Sequence, residues 1–70
     1  MDITELKANL VYARVKKGLG SGELAEKLKM HPNTYRKKEN NPLRFTLDEL
    51  FDLKDVLETE TIDQIFKKGA

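Results

Sequence analysis

The sequence predicts an all-α protein, a compact bundle of five helices, and three observations support that prediction. Apolar residues recur at helical spacing along the whole chain, and no stretch alternates between apolar and polar residues as a strand would. Capping residues, Gly and Pro divide the chain into five short segments. The chain has 70 residues, of which 39% are hydrophobic. That size suits one domain with a thin core.

The first predicted helix ends at the lysines of positions 16 and 17. Asp2 or Thr4 can cap its start, and Glu5 falls in its first turn, where an acid favours the helix dipole. Gly18 can adopt the left-handed conformation that ends a helix, after which Leu19 turns inward. One face of this helix carries the residues expected to pack inward: Leu6, Leu10, Ala13 and Arg14, flanked by Val11 and Val15.

The second and third predicted helices are short and are separated by a three-residue turn, Lys29-Met30-His31. The second spans about residues 21–28, with Leu24, Ala25 and Leu28 as its apolar stripe. The third spans about residues 32–39. Pro32 suits its first turn, where a backbone N–H would have no partner in any case. The sequence Asn-Asn-Pro at positions 40–42 stops it.

Two capping boxes open the fourth and fifth predicted helices. The first box spans residues 46–49, Thr-Leu-Asp-Glu, and the second spans residues 61–64, Thr-Ile-Asp-Gln. The fifth helix is short and contributes Ile65 and Phe66 as apolar residues. The fourth helix is expected to have a wide apolar side made of Leu47, Leu50, Phe51, Leu53, Val56 and Leu57.

The composition excludes several classes of function. The chain has no Cys and a single His, His31, so disulfides, Cys-ligated zinc, thiol catalysis and multi-His metal sites are excluded. No carboxylate and His form a convincing acid–base pair, and we expect no catalytic residue, metal, cofactor or small-molecule ligand. No apolar run approaches the ~18 residues of a membrane span, and the first residues lack signal-peptide features. We expect a cytoplasmic protein.

The net charge of +1 conceals a division along the chain. Residues 1–44 carry ten basic and five acidic residues, a net of +5, and residues 45–70 carry three basic and seven acidic residues, a net of −4. Such an asymmetry indicates one side that faces a polyanion and another that is kept away from it. Two ordinary solvated faces are the alternative interpretation.

Two short helices joined by a three-residue turn have the geometry of a helix-turn-helix unit. Ala25 is small enough to let the third helix approach the second. Met30 and Tyr35 are expected to supply the apolar contacts that fix the angle between them. The third helix would then turn an outer edge to solvent, made of Asn33, Thr34, Arg36 and Lys37.

Three segments resemble the Cro/repressor-type (XRE-like) helix-turn-helix family of phage and bacterial transcription regulators. Residues 18–28 (GLGSGELAEKL) are similar to its second helix, residues 33–40 (NTYRKKEN) to its recognition helix, and residues 45–50 (FTLDEL) to the start of its fourth helix. The resemblance covers about residues 6–66. It implies a lambda-repressor-like DNA-binding domain spanning residues 1–70, in which the third helix enters the major groove of double-stranded DNA and the protein binds as a dimer.

The resemblance and the chemistry of base edges together assign candidate roles. Asn can pair with adenine and Arg or Lys with guanine. The expected base-reading residues are Asn33, Thr34, Arg36 and Lys37. The expected phosphate contacts are Arg14, Ser21, Gly22, Lys38, Asn40, Asn41 and Arg44, the second and third of them at the amino end of the second helix. For residues 36–38, a solvated basic turn is the alternative, and His31 is interpreted as a turn or cap residue.

The family also implies an ion pair between Arg14 and Glu39, partly buried, which orients the Arg toward phosphate. Two unrelated surface charges are the alternative. The sequence departs from the family pattern at three positions. Lys29 replaces a Gly of the turn, Lys38 replaces an apolar residue, and Ser21 replaces a Gln that contacts phosphate. The alkyl stem of Lys38 could pack inward while its ammonium reaches a phosphate.

We therefore expect a sequence-specific regulator that binds double-stranded DNA. The alternative is a protein-interaction adaptor on the same fold, antirepressor-like or antitoxin-like, whose acidic second half would be the working surface. A homodimer on DNA is also expected, because a monomer of this size makes few base contacts. Its contacts could come from Ile62, Ile65 and Phe66, which could equally close the core.

Overall fold

A computed structural model describes residues 2–57, which form four α-helices and one 3-10 helix and contain no strand. The all-α prediction is confirmed for this part of the chain. The predicted fifth helix, with Ile62, Ile65 and Phe66, lies outside the described residues. None of the helices described has the length and apolar character needed to cross a membrane. The elements are α1 (Ile3–Lys16), α2 (Ser21–Lys27), α3 (Pro32–Asn40), the 3-10 helix (Pro42–Arg44) and α4 (Leu47–Val56).

The helix ends follow the capping residues of the sequence. The Asp2 carboxylate accepts a hydrogen bond from the Thr4 N–H at 2.9 Å and begins α1. Thr46 and Glu49 form the predicted capping box of α4. The Glu49 N–H donates to the Thr46 hydroxyl at 3.1 Å, and the Thr46 N–H donates to the Glu49 carboxylate at 2.8 Å. The 3-10 helix was not predicted, because Pro42 was interpreted only as a helix stop.

The core lies where α1, α2, α3 and α4 meet. Leu10, Leu24, Tyr35 and Leu53 are its largest fully buried residues. The Tyr35 ring packs against Phe45, with the ring centroids 6.2 Å apart. Ala25 has no exposed surface, consistent with the close approach of α2 and α3 that its small side chain was expected to permit. Met30 packs against the same core from the turn, as predicted.

The apolar side of α4 is narrower than predicted. Leu53 and Leu57 are buried and Leu50 and Val56 are partly buried, but Leu47 is 63% exposed and Phe51 is 46% exposed. Leu47 and Phe51 lie about 90–130° around the helix from the buried stripe, so they cannot face the same core. Val15 of α1 is also exposed, at 61%.

Candidate nucleic-acid interface

The turn between α2 and α3 is built on the same hydrogen bonds as the turn after α1. The Lys29 N–H donates to the Glu26 carbonyl at 3.0 Å, and the Met30 N–H donates to the Ala25 carbonyl at 2.9 Å. This is a Schellman motif, whose central residue must have a positive φ. Lys29 has φ 57°, and Gly18 has φ 79° at the equivalent place after α1. The left-handed turn is therefore kept although Lys occupies the glycine position.

Helix α3 is capped by His31. The backbone of His31 is extended, and its Nδ1 accepts a hydrogen bond from the Asn33 N–H at 3.1 Å. Pro32 occupies the first turn, where its missing N–H has no cost. His31 is thus the cap residue that the sequence indicated, and it fixes where α3 begins.

The inner face of α3, which we define as Tyr35 and Glu39, joins this helix to α1. The Arg14 Nε donates to the Glu39 carboxylate at 3.1 Å, and its Nη2 donates to the second carboxylate oxygen at 3.4 Å. Arg14 Nη1 also donates to the Leu19 carbonyl at 3.0 Å. The Tyr35 hydroxyl donates to the same carboxylate. The expected ion pair between Arg14 and Glu39 is present, with side chains only 14% and 9% exposed.

The environment of Tyr35 keeps its phenol protonated. Burial of the ring raises the pKa of Tyr35, and the hydrogen bond to the Glu39 carboxylate raises it further. The phenol therefore remains a donor at any physiological pH. Glu39 accepts from two residues at once, which satisfies a carboxylate that would be costly to bury alone.

The outer face of α3, which we define as Asn33, Thr34, Arg36 and Lys37, is exposed along its whole length. These are the four residues that were predicted to read bases, and they lie on one side of the helix. The Arg36 guanidinium donates a hydrogen bond to the Asn33 side-chain oxygen. Beside this face is an open groove of about 390 Å³, lined by Thr34, Lys37, Lys38 and Arg44. Three of the four lining residues are cationic.

The Lys38 ammonium, which was expected to reach a phosphate, is paired with a carboxylate of the protein itself. The ammonium lies 2.7 Å from both carboxylate oxygens of Glu49, in the first turn of α4. Partial burial raises the pKa of Glu49, but hydrogen bonds from Lys38 and from the Thr46 N–H outweigh it, so the pKa of Glu49 is lowered. A phosphate contact by Lys38 stays a prediction, and a phosphate would have to compete with this carboxylate.

The other predicted phosphate contacts differ in accessibility. Asn40 and Arg44 are exposed. Asn41 is half-buried, and its side-chain oxygen is a buried atom for which residues 2–57 supply no hydrogen-bond donor. Gly22 is exposed and Ser21 is half-buried. At this end of α2, however, the Glu23 carboxylate accepts from the Gly20 N–H at 3.1 Å. A fixed negative charge there disfavours a phosphate.

Two interactions of carboxylates near the candidate interface were not predicted: the hydrogen bond of Glu23 at the start of α2 and the ion pair of Glu49 with Lys38. The role of Glu23 had a local signal, because an acid three residues after a helix cap often bonds back to the cap N–H. The pairing of Glu49 with Lys38 had no such signal, because the two residues are eleven positions apart.

Within residues 2–57, no three His, Cys, Asp or Glu residues come together as potential metal ligands. The chain matches no family model, no curated protein and no solved structure.

Proposed function

We propose that this protein is a sequence-specific regulator that binds double-stranded DNA, of the Cro/repressor type, with α2, the turn and α3 acting as a helix-turn-helix unit. One observation carries the proposal. The four side chains of the outer face lie together, exposed and beside a cationic groove, on a helix whose opposite face is anchored in the core. A regulator of this kind would act in the cytoplasm of a bacterium, on bacterial or phage DNA.

The geometry supports different roles in DNA binding for the cationic groove and for the outer face of α3. Lys37 and Arg44 line the groove, and Arg44 would neutralise a phosphate, releasing condensed counterions from the duplex. Asn33 lies in the first turn of α3 and Arg36 at its midpoint, and the amino-terminal residues of a recognition helix are those that contact base edges in the major groove. Phosphate contacts would set the register of the helix, and the outer face would supply specificity. Two copies on a two-fold operator would supply enough contacts for tight binding.

A salt titration tests the proposal. Duplexes are first recovered from a random pool with the full chain, and the affinity for the best duplex is then measured at several salt concentrations. We expect affinity to fall steeply with salt, because binding releases counterions. We expect Lys37→Ala to weaken binding to that duplex by about 1–3 kcal/mol.

The matched control is Lys7→Ala, which removes the same charge from an exposed position on α1. It is expected to change affinity far less than Lys37→Ala. Failure to recover any duplex, or equal effects of the two substitutions, would contradict the proposal. Sedimentation at micromolar concentration with and without the duplex determines whether the bound species is a dimer.

The second candidate function is a protein-interaction adaptor, and the exposed side of α4 favours it. Leu47 and Phe51 expose apolar surface there, among the exposed acids Asp48, Asp52 and Asp55. A partner with a basic rim and an apolar centre would fit such a surface. The same titration separates the two functions, because an adaptor would show no steep dependence of duplex binding on salt.

A further inference from the structure

The outer face of α3 presents mainly hydrogen-bond donors to a partner. The Asn33 side chain faces the guanidinium of Arg36. Because a guanidinium carries donors only, the amide atom facing it is the oxygen. The Asn33 amide nitrogen is then the atom that is not bound to Arg36. Asn33 therefore keeps both of its N–H donors for a partner, while one of the two lone pairs of its oxygen is engaged within the protein.

The hydrogen bond that caps α3 likewise uses an acceptor of His31 and leaves a donor. Its Nδ1 accepts from the Asn33 N–H and carries no proton. The proton of the neutral ring must then be on Nε2, which makes that atom a donor. His31 is exposed at the start of the helix. It adds a further exposed donor at the amino-terminal end of α3.

Carboxylates, which would supply acceptors, are withdrawn from this face. The one acid of α3 is Glu39, and it is buried against Arg14 and Tyr35. Glu49, the carboxylate paired with Lys38, accepts hydrogen bonds from the Lys38 ammonium and from the Thr46 N–H. The Thr34 hydroxyl remains as a group able to accept as well as donate. The remaining side chains of the outer face, Arg36 and Lys37, are donors only.

A face of donors is complementary to guanine. In the major groove, guanine offers two adjacent acceptors, N7 and O6, whereas adenine pairs an acceptor with an N–H donor that requires an acceptor from the protein. A bidentate contact of Asn33 with adenine would have to share the oxygen that holds Arg36, and Arg36 would then compete with the adenine N–H for its position. The hydrogen bond instead fixes the direction of the guanidinium, three residues further along the helix.

We infer that the outer face of α3 selects guanine on one strand of its site, with Arg36 as the reading residue and Asn33 as a positioning residue that holds it, not as a reader of adenine. This inference rests on the proposed function and specifies its target. It revises the adenine contact that the sequence suggested for Asn33. Lys37 and His31 would contribute further donors to neighbouring guanines or thymine carbonyls.

Selection of duplexes from a random pool tests the inference, with the full chain and the variants Asn33→Ala, Asn33→Asp and Arg36→Ala. The wild type is expected to enrich guanine at a defined position. Arg36→Ala should reduce the preference for guanine over adenine there by roughly 5- to 150-fold, the value of one bidentate contact. Asn33→Ala should reduce it at the same position, by less. Asn33→Asp retains an oxygen for Arg36 and should restore the guanine preference, although total affinity falls.

Thermal unfolding of all variants is the structural control, and we expect no change beyond that of Lys7→Ala, because the substituted side chains are exposed. Two outcomes overturn the inference alone. One is that the wild type enriches adenine at a position where Asn33→Ala loses the preference for adenine. The other is that Arg36→Ala keeps the guanine preference of the wild type. Recovery of no duplex by the wild type would overturn the inference and the proposed function together.

Discussion

The two faces of α3 differ in what holds their polar groups. On the inner face, Tyr35 and Glu39 are buried and bonded to Arg14 of α1, so their hydrogen bonds connect separate parts of the fold. On the outer face, the hydrogen bond between Asn33 and Arg36 stays within one helix and is exposed to solvent. The first set of contacts determines where α3 lies. The hydrogen bond between Asn33 and Arg36 determines only which groups α3 presents to solvent, and its loss is expected to have little effect on the free energy of unfolding.

Stability and the proposed recognition can therefore be tested separately on one helix of nine residues. Removal of one partner from a buried ion pair leaves an uncompensated charge, whereas truncation of an exposed side chain leaves water in its place. A substitution on the inner face should therefore change the free energy of unfolding. A substitution on the outer face should change binding alone.

The largest effect is expected for Glu39→Ala. This change leaves the Arg14 guanidinium and the Tyr35 hydroxyl without their acceptor in a site that is mostly closed to water. We expect the free energy of unfolding, measured by urea denaturation, to fall by about 3–5 kcal/mol. Arg36→Ala, the matched change on the outer face, should alter it by no more than about 0.5 kcal/mol.

Glu39→Gln keeps this test decisive if Glu39→Ala does not fold. The amide oxygen can still accept one of the donors, so the loss should be smaller, about 1–3 kcal/mol. Equal losses for Arg36→Ala and Glu39→Gln would show that the two faces do not divide the roles as described.

A smaller effect, of opposite sign, is expected for Lys29→Gly in the turn before α3. A left-handed conformation costs an L-residue roughly 1–2 kcal/mol, and glycine loses about 0.5–1 kcal/mol in entropy on folding. The net gain in the free energy of unfolding should be about 0.5–1 kcal/mol. Because φ is already 57°, neither face of α3 should move, and duplex affinity should stay close to that of the wild type.

Gly18→Ala is the reverse experiment at the equivalent turn. A Cβ at Gly18 would meet no atom within 4 Å, so any loss comes from the backbone conformation itself. We expect a loss of about 1 kcal/mol. A neutral Gly18→Ala together with a destabilising Lys29→Gly would refute this account of the two turns.

The smallest effect is expected for Glu49→Gln, which removes the ion pair of Lys38, the residue between the two faces. The two side chains of the pair are 20% and 22% exposed, so the loss at pH 7 should be about 0.5 kcal/mol or less. Because folding lowers the pKa of Glu49 from 4.5, its contribution is complete above that pH and is lost as the pH falls through the folded value. Denaturation curves of wild type and variant should therefore converge on acidification below about pH 4.5. A difference that is constant with pH would contradict the assignment.

Local signals in the sequence were enough to predict most helix boundaries. Asp2 and Gly18 delimit α1, and Thr46 with Glu49 begins α4, because caps act within a few residues of the chain. The exposed positions of Leu47 and Phe51 were not predictable from their apolar character. Which side of a helix is covered depends on the neighbouring helices, and not on the helix alone.

The candidate interface was predicted to a different extent on the two faces of α3. The exposed residues follow from helical periodicity once Tyr35 is assigned to the core. The pairing of Arg14 with Glu39 came from the family resemblance, since no local rule connects residues 25 positions apart. The bond between Asn33 and Arg36 joins neighbours at a spacing of three, which allows a contact but does not specify it.

The anchoring of α3 by Glu39 has a practical consequence. Since the contacts that hold α3 against α1 lie on its buried side, positions 33, 36 and 37 can be randomised as a set in a combinatorial library, with little loss of stability expected from residues other than Pro and Gly. If the protein binds DNA as proposed, such a library would retarget it to new operators on an unchanged scaffold.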